Sequence, residues 1–119
     1  MKIDEKFTLA LENHKESWKY AWKLNKELEI NTEISDLNLE QLLEGIKGKG
    51  DGHQREILKI LLKSSFNERY LTPLFDLSLD IWLNIKKKSS LRITAYQILI
   101  KITNRYPCLL YTSPSPRDL

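Results

Sequence analysis

The stretch SSLRITAYQILIKITN, residues 89–104, is apolar on nearly every side of a helical projection. A helix of this kind needs neighbouring elements to bury it, because a helix on a protein surface keeps one polar face. We therefore expect residues 89–104 to pack inside a helical fold, with Leu99 in its core. Its apolar residues are Leu91, Ile93, Ala95, Tyr96, Ile98, Leu99, Ile100 and Ile102.

The neighbouring segments also read as helices. Residues 53–65, HQREILKILLKSS, form a second apolar helix. Residues 4–29 carry apolar side chains at helical steps, with room for a break at Asn13 and His14, and Asp36 or Asn38 can cap a helix that runs on to residue 46. The pattern predicts an all-α fold of two to three stacked helical hairpins.

Residues 74–86 are ambiguous, because apolar and polar residues alternate there with the period of a strand. Helical numbering instead places Asp76 and Asp80 on one polar stripe. The segment is long for a strand and rich in leucine rather than β-branched residues. We predict a helix, with Thr72 as its cap and Pro73 in its first turn.

The glycine cluster GKGDG, residues 48–52, separates two predicted helices. A phosphate-binding P-loop would follow a strand and end in Gly-Lys-Ser or Gly-Lys-Thr, and neither condition is met. We interpret the cluster as a turn, since glycine supplies the backbone freedom that a turn requires.

Two helices share a frame, R-x-x-L-x-x-x-L from residue 55 and R-x-x-A-x-x-x-L from residue 92, which lie 37 residues apart. Repetition at such a period indicates stacked helical pairs. The frame resembles the second helix of HEAT and armadillo-like repeats, which commonly reads Arg-x-x-Ala-x-x-x-Leu with an aspartate just before it. Asp51 takes that place in the first copy, whereas Ser89 and Ser90 stand there in the second.

The resemblance covers residues 36–105, and residues 15–24 are similar to the second helix of an earlier unit. It implies a HEAT-like α-solenoid fragment, in which residues 1–107 are one helical repeat domain truncated at its C-terminal end. We then expect the last helix to expose Ile93 and Ile100, because repeat units rely on neighbours to bury their apolar faces.

The resemblance also implies a non-catalytic protein-interaction module that needs no cofactor. HEAT-like folds include DNA glycosylases that act on alkylated bases, so the alternative is a binder of the nucleic-acid backbone with repair activity. Such an enzyme needs a catalytic acid and aromatic contacts that the sequence does not reveal.

Basic residues recur on the two apolar helices at helical spacing. If the second helices stack, these residues form a basic strip on the binding face, suited to an acidic partner protein or, less readily, to a phosphate backbone. The alternative is a set of ordinary solvated lysines and a packing arginine. The strip consists of Arg55, Lys59, Lys63, Arg92, Lys101 and Arg105.

Catalytic and metal-binding groups are scarce. His14 and His53 lie in different helices without the His-x-x-x-His spacing of a metal site, so surface or capping roles are expected. Asp76 and Asp80 would act as acid and base only if they were buried with shifted pKa values. On an exposed stripe they are solvated.

The tryptophans Trp18, Trp22 and Trp82 fall among other apolar residues at helical spacing. This placement predicts core packing rather than base stacking or a ligand cage.

Composition sets broad limits. The net charge of +3 is too mild to imply nucleic-acid binding by itself. No signal sequence opens the chain, and no run approaches the roughly 18 apolar residues of a membrane span. The single cysteine is Cys108, so residues 1–107 offer no disulfide or thiolate ligand. We expect a cytoplasmic protein.

The tail CLLYTSPSPRD, residues 108–118, agrees at every position with the translation of the transposase end and index-primer site of a common sequencing-library adapter. The resemblance implies that residues 108–119 are not natural protein, that Leu119 begins a barcode and that the natural sequence ends at Pro107. We expect a disordered tail whose deletion changes stability by less than about 0.5 kcal/mol. The alternative is a natural Pro/Ser-rich tail or a phosphorylation target.

Overall fold

A computed structural model describes residues 3–12, 15–65 and 67–105, and this part of the chain is almost entirely helical. The predicted all-α fold class is therefore confirmed. The predictions about His14 and about the tail after residue 107 concern residues outside these ranges. The α-helices are α1 (Ile3–Leu11), α2 (Ser17–Glu27), α3 (Asp36–Gly45), α4 (Asp51–Lys63), α5 (Leu71–Leu83) and α6 (Ser89–Arg105).

Helix packing follows the order of the chain. Helix α1 packs on α2 and α5 packs on α6, while α3 lies mainly against α1 and touches α4 more lightly. Helix α4 contacts both α2 and α6. The even-numbered helices therefore lie side by side in the order α2, α4, α6.

The core is centred on α4 and on one side of α6. Ile57, Leu58 and Ile60 on α4 are fully buried, as are Leu91 and Ala95 on α6. Leu99 is also buried, as expected. Burial of α6 is incomplete, however, because Ile93 and Ile100 are 54% and 40% exposed on its opposite side. This exposure agrees with the expectation for these two residues.

Residues 74–83 of the ambiguous segment lie in helix α5, whereas residues 84–86 follow its end at Leu83. Leu74 and Ile81 are buried in the core, and Asp76 and Asp80 are exposed to solvent. The alternating pattern of apolar residues was compatible with either a strand or a helix. The segment is a helix in the structure, and this helix packs against α6. The helix begins at Leu71, so Thr72 lies in its first turn and is not its cap.

Two helix starts differ from prediction. Ser35 caps α3, since its Oγ accepts the Asn38 N–H at 3.2 Å, whereas Asp36 and Asn38 lie inside the helix. Helix α4 begins at Asp51, before His53. The cap of α3 is set by the extended backbone of Ser35, which aims its hydroxyl at the free N–H groups of the first turn.

Two short connections complete the fold. The strands β1 (Thr32–Glu33) and β2 (Ser64–Ser65) form a two-residue parallel ladder that ties the loop after α2 to the end of α4. This ladder was not predicted, because two-residue strands leave no periodic signal. Gly48 has φ of 77° in the loop between α3 and α4, as expected of a glycine turn.

Candidate interaction face

Helices α2, α4 and α6 are the second members of the helix pairs predicted from the sequence. Their solvent-facing side is called the second-helix face. The six residues predicted to form a basic strip fall into three groups. Two lie on this face without contacting main-chain carbonyls, and three are bound to carbonyl groups of other helices. The side chain of the sixth, Arg105, lies outside the described part of the chain. The first two are Arg55 and Lys59, and the three bound residues are Lys63, Arg92 and Lys101.

Lys63 reaches from the end of α4 to the end of α2. Its Nζ donates to the Asn25 carbonyl at 2.6 Å and faces the Leu28 carbonyl at 3.4 Å. The last carbonyls of a helix have no partner within the helix and carry partial negative charge. Lys63 therefore acts as a C-terminal cap of α2 and connects the two helices.

Lys101 makes the equivalent contact one helix further on. Its Nζ donates to the carbonyl of Leu62, in the last turn of α4. The same arrangement thus joins α4 to α2 and α6 to α4, with a lysine near the end of each later helix. Both lysines mark the edges at which neighbouring helices meet.

Arg92 binds the end of α5. Its Nε donates to the Trp82 carbonyl at 2.9 Å, and its guanidinium lies 5.4 Å from the centre of the Trp82 ring. The Trp82 ring in turn packs on Tyr96, with 4.7 Å between the ring centres. Trp82 is therefore half-buried in a structural cluster.

The other tryptophans contradict the core prediction. Trp18 and Trp22 are 45% and 44% exposed on α2. The buried side of α2 uses the small residues Ser17 and Ala21 instead, together with Leu24. Small side chains there allow close helix packing, and the two indoles lie beside that stripe, where their size does not obstruct it.

Arg55 and Lys59 remain at the surface of α4, both half-buried. Lys59 has its Nζ 3.8 Å from Glu56, whose side chain is buried beneath it. Arg55 forms no ion pair with any described residue. These two residues are the part of the predicted strip that remains available on α4.

Helix α2 supplies cations that the sequence analysis missed. Lys19, Lys23 and Lys26 are exposed, and Lys26 Nζ lies 5.0 Å from the centre of the Trp22 ring. Lys19 pairs with Glu16 at 2.7 Å, whereas no ion pair to Lys23 exists among the described residues. Steps of four and three between these lysines could have revealed the row.

The N-terminal end of α4 carries two titratable groups with shifted pKa values. Asp51 accepts the Lys88 N–H at 2.8 Å and lies 3.3 Å from Lys87 Nζ. The Lys88 hydrogen bond lowers the pKa of Asp51, more strongly than burial raises it. The carboxylate thereby fastens the loop before α6 to the start of α4.

His53 makes a structural contact between two helices. Its Nε2 lies 2.6 Å from the Ala10 carbonyl in α1, which requires Nε2 to be the donor. Burial lowers the pKa of His53, opposed in part by this hydrogen bond and assisted by Lys49. The neutral ring therefore bridges α1 and α4.

Metal-binding groups are scarce in the part of the chain that the structure describes. Residues 3–12, 15–65 and 67–105 contain no group of three or more His, Cys, Asp or Glu side chains placed to hold a metal ion. Within the same residues, no helix is both long and apolar enough to cross a membrane. Asp76 and Asp80 are exposed, so the condition for an acid–base pair is not met.

Comparison with known proteins gives no match: no family model, no curated protein and no solved structure is similar to this chain.

Proposed function

We propose that the chain is a HEAT-like helical-repeat module that binds another protein through the second-helix face and carries out no catalysis. The supporting observation is the recurrence of one contact. Lys63 caps α2 and Lys101 caps α4, at positions 38 residues apart. A contact that recurs at nearly the period of the sequence frame is expected when similar helical units are stacked.

The partner surface proposed for this face is acidic. Lys23, Lys26, Arg55 and Lys59 place positive charge on the adjacent helices α2 and α4. Complementary charge accelerates the encounter of two proteins and suppresses wrong partners. The cations tied to main-chain carbonyls contribute to the potential of the face but are not free to rearrange around a ligand.

Binding of a labelled oligoglutamate peptide to the whole chain tests this proposal by fluorescence anisotropy. The double variant Lys23→Glu, Arg55→Glu should abolish binding, because it reverses charge on both helices. Lys86→Glu is the matched control, since Lys86 is exposed in the loop between α5 and α6. Equal loss in the control, or no binding by the parent chain at low salt, would refute an acidic partner on this face.

A second candidate function is binding of single-stranded nucleic acid. Exposed Trp18 and Trp22 lie one helical turn apart, and Lys19 Nζ and Lys26 Nζ lie 6.0 and 5.0 Å from their respective ring centres. Exposed aromatic rings beside cations form a platform on which bases stack while lysines contact phosphates. This arrangement favours single strands over duplexes.

The nucleic-acid candidate makes its own prediction. Affinity for oligothymidylate should fall steeply between about 50 and 200 mM salt through counterion release. The double variant Trp18→Ala, Trp22→Ala should weaken binding about tenfold or more, because each stacked base contributes roughly 1–3 kcal/mol. Absence of binding at about 50 mM salt would exclude this function.

A further inference from the structure

The chemistry of the second-helix face changes from one helix to the next. Helices α2 and α4 present lysines and an arginine, whereas the exposed side chains described on α6 before Arg105 are uncharged. Between residues 89 and 104 the only charged residues are Arg92 and Lys101, and both are bound to carbonyl groups of other helices. The uncharged side carries Ile93, Tyr96, Gln97 and Ile100.

Ile93 and Ile100 point away from the core. They are seven residues apart, about two helical turns, and so lie on one stripe. The buried residues Leu91, Ala95 and Ile98 occupy the other side of α6. Two branched aliphatic side chains are thus held exposed on a helix whose remaining apolar residues are largely buried.

A further helical pair stacked on α6 would leave these isoleucines accessible. Lys101 marks the edge of α6 that meets α4. Arg92 precedes it by about two and a half turns and therefore lies on the opposite edge, where a following pair would pack. Ile93 and Ile100 lie between the two edges, on the side of α6 opposite its buried residues.

We propose that the partner segment bound by the second-helix face combines acidic residues with apolar anchors. Carboxylates of this segment contact the cations of α2 and α4, and its apolar side chains cover Ile93 and Ile100. The inference rests on the proposed function and adds the chemical class of the partner. On α2 and α4, charge complementarity determines which segment is bound. On α6, removal of aliphatic surface from water stabilises the complex.

The spacing of the helices sets the spacing within the partner. Packed helices lie about 8–10 Å apart, and an extended chain advances about 3.3 Å per residue. A segment that crosses from α4 to α6 therefore places its apolar anchor about three residues from an acidic residue. A nucleic-acid backbone fits this arrangement poorly, since it would set phosphates rather than apolar groups over the isoleucines.

The test uses the whole chain and two short labelled peptides of equal negative charge. One peptide carries leucines three residues from its glutamates, and the other carries serines at the same positions. We expect the leucine peptide to bind about tenfold more tightly, because burial of even one leucine contributes more than this factor. The double variant Ile93→Ser, Ile100→Ser should remove the difference while the serine peptide binds as before.

A matched control is Leu37→Ser on α3, which changes an exposed leucine away from α6. It should leave the tenfold difference intact. Circular dichroism checks that each variant remains folded, and the single variant Ile100→Ser replaces the double one if the latter unfolds.

The remaining outcomes separate the two proposals. Equal binding of both peptides would overturn the apolar anchor and leave the acidic partner standing, whereas binding of neither would refute both. Oligothymidylate binding that displaces the peptides would assign the face to nucleic acid. A dimer that dissociates on Ile93→Ser, Ile100→Ser would assign the isoleucines to self-association, and either result would overturn the inference.

Discussion

Replacement of Lys63 by methionine tests whether this lysine is a structural cap or a free member of a basic strip. Lys63→Met keeps most of the side-chain packing and removes the Nζ donor. The parent contacts are 2.6 Å to the Asn25 carbonyl and 3.4 Å to the Leu28 carbonyl. Both carbonyls lie at the end of α2, where a cation also interacts favourably with the helix dipole.

The expected cost follows from these contacts. A hydrogen bond to a charged group contributes about 1.5–3 kcal/mol, and a cation at a helix C-terminus about 0.3–1 kcal/mol. Lys63 is only half-buried, so water can replace part of the lost interaction. We expect Lys63→Met to lower the free energy of unfolding by about 1–2 kcal/mol, which corresponds to a Tm decrease of roughly 4–8 °C.

Urea and thermal denaturation of the whole chain measure this change. Lys47→Met is the matched control, because Lys47 Nζ pairs at 3.0 Å with Glu44, and both side chains are exposed. We expect it to cost less than about 0.5 kcal/mol, as is typical of a weak ion pair near the surface. Equal effects of the two substitutions, or a loss below about 0.5 kcal/mol for Lys63→Met, would refute the capping role.

Three further predictions concern the core and the two shifted pKa values. Leu99→Ala should destabilise the fold by about 2–5 kcal/mol in urea titration, and a loss below about 1 kcal/mol would place Leu99 outside the core. The pKa of His53 is lowered in the folded state, so its contribution to stability is present above the ordinary pKa of 6.5 and is lost as pH falls through the folded pKa. We expect His53→Gln to weaken the dependence of the urea midpoint on pH between about pH 7.5 and 5. The pKa of Asp51 is also lowered in the folded state, so its contribution to stability is present above the ordinary pKa of 3.8 and is lost as pH falls through the folded pKa. We therefore expect Asp51→Asn to reduce the fall of the urea midpoint below about pH 4. An unchanged pH profile would contradict the contact with Lys88.

Several features were predictable because local sequence carries them. The helical character of residues 89–104 follows from their composition, and the turn at Gly48 follows from backbone freedom, although the last two residues of the predicted 48–52 turn belong to α4. A helix was favoured over a strand for residues 74–86 because the leucines suit a helix and the length does not suit a strand, and the observed helix is Leu71–Leu83. The exposure of Ile93 and Ile100 was expected because a following repeat unit would be missing, whereas the helix geometry places both residues opposite the buried side of α6.

Other features depend on which neighbour each side chain meets. Trp18 and Trp22 were predicted to lie in the core, yet the buried side of α2 carries Ser17 and Ala21 instead. The size and hydropathy of a residue give a preference for burial, but they do not identify the side of a helix that the partner will cover.

The sequence alone determined the helical class, the turns and the positions of the charges, because these depend on residue type and on contacts a few residues apart. Only the tertiary structure decided the use of each charge. Lys59 and Lys63 are one turn apart on α4, but Lys63 lies at the edge facing the free carbonyls of α2, and Lys59 lies on the outward side. The carbonyls of Asn25 and Leu28 are 38 and 35 residues away from Lys63 in sequence, so no local pattern could pair them.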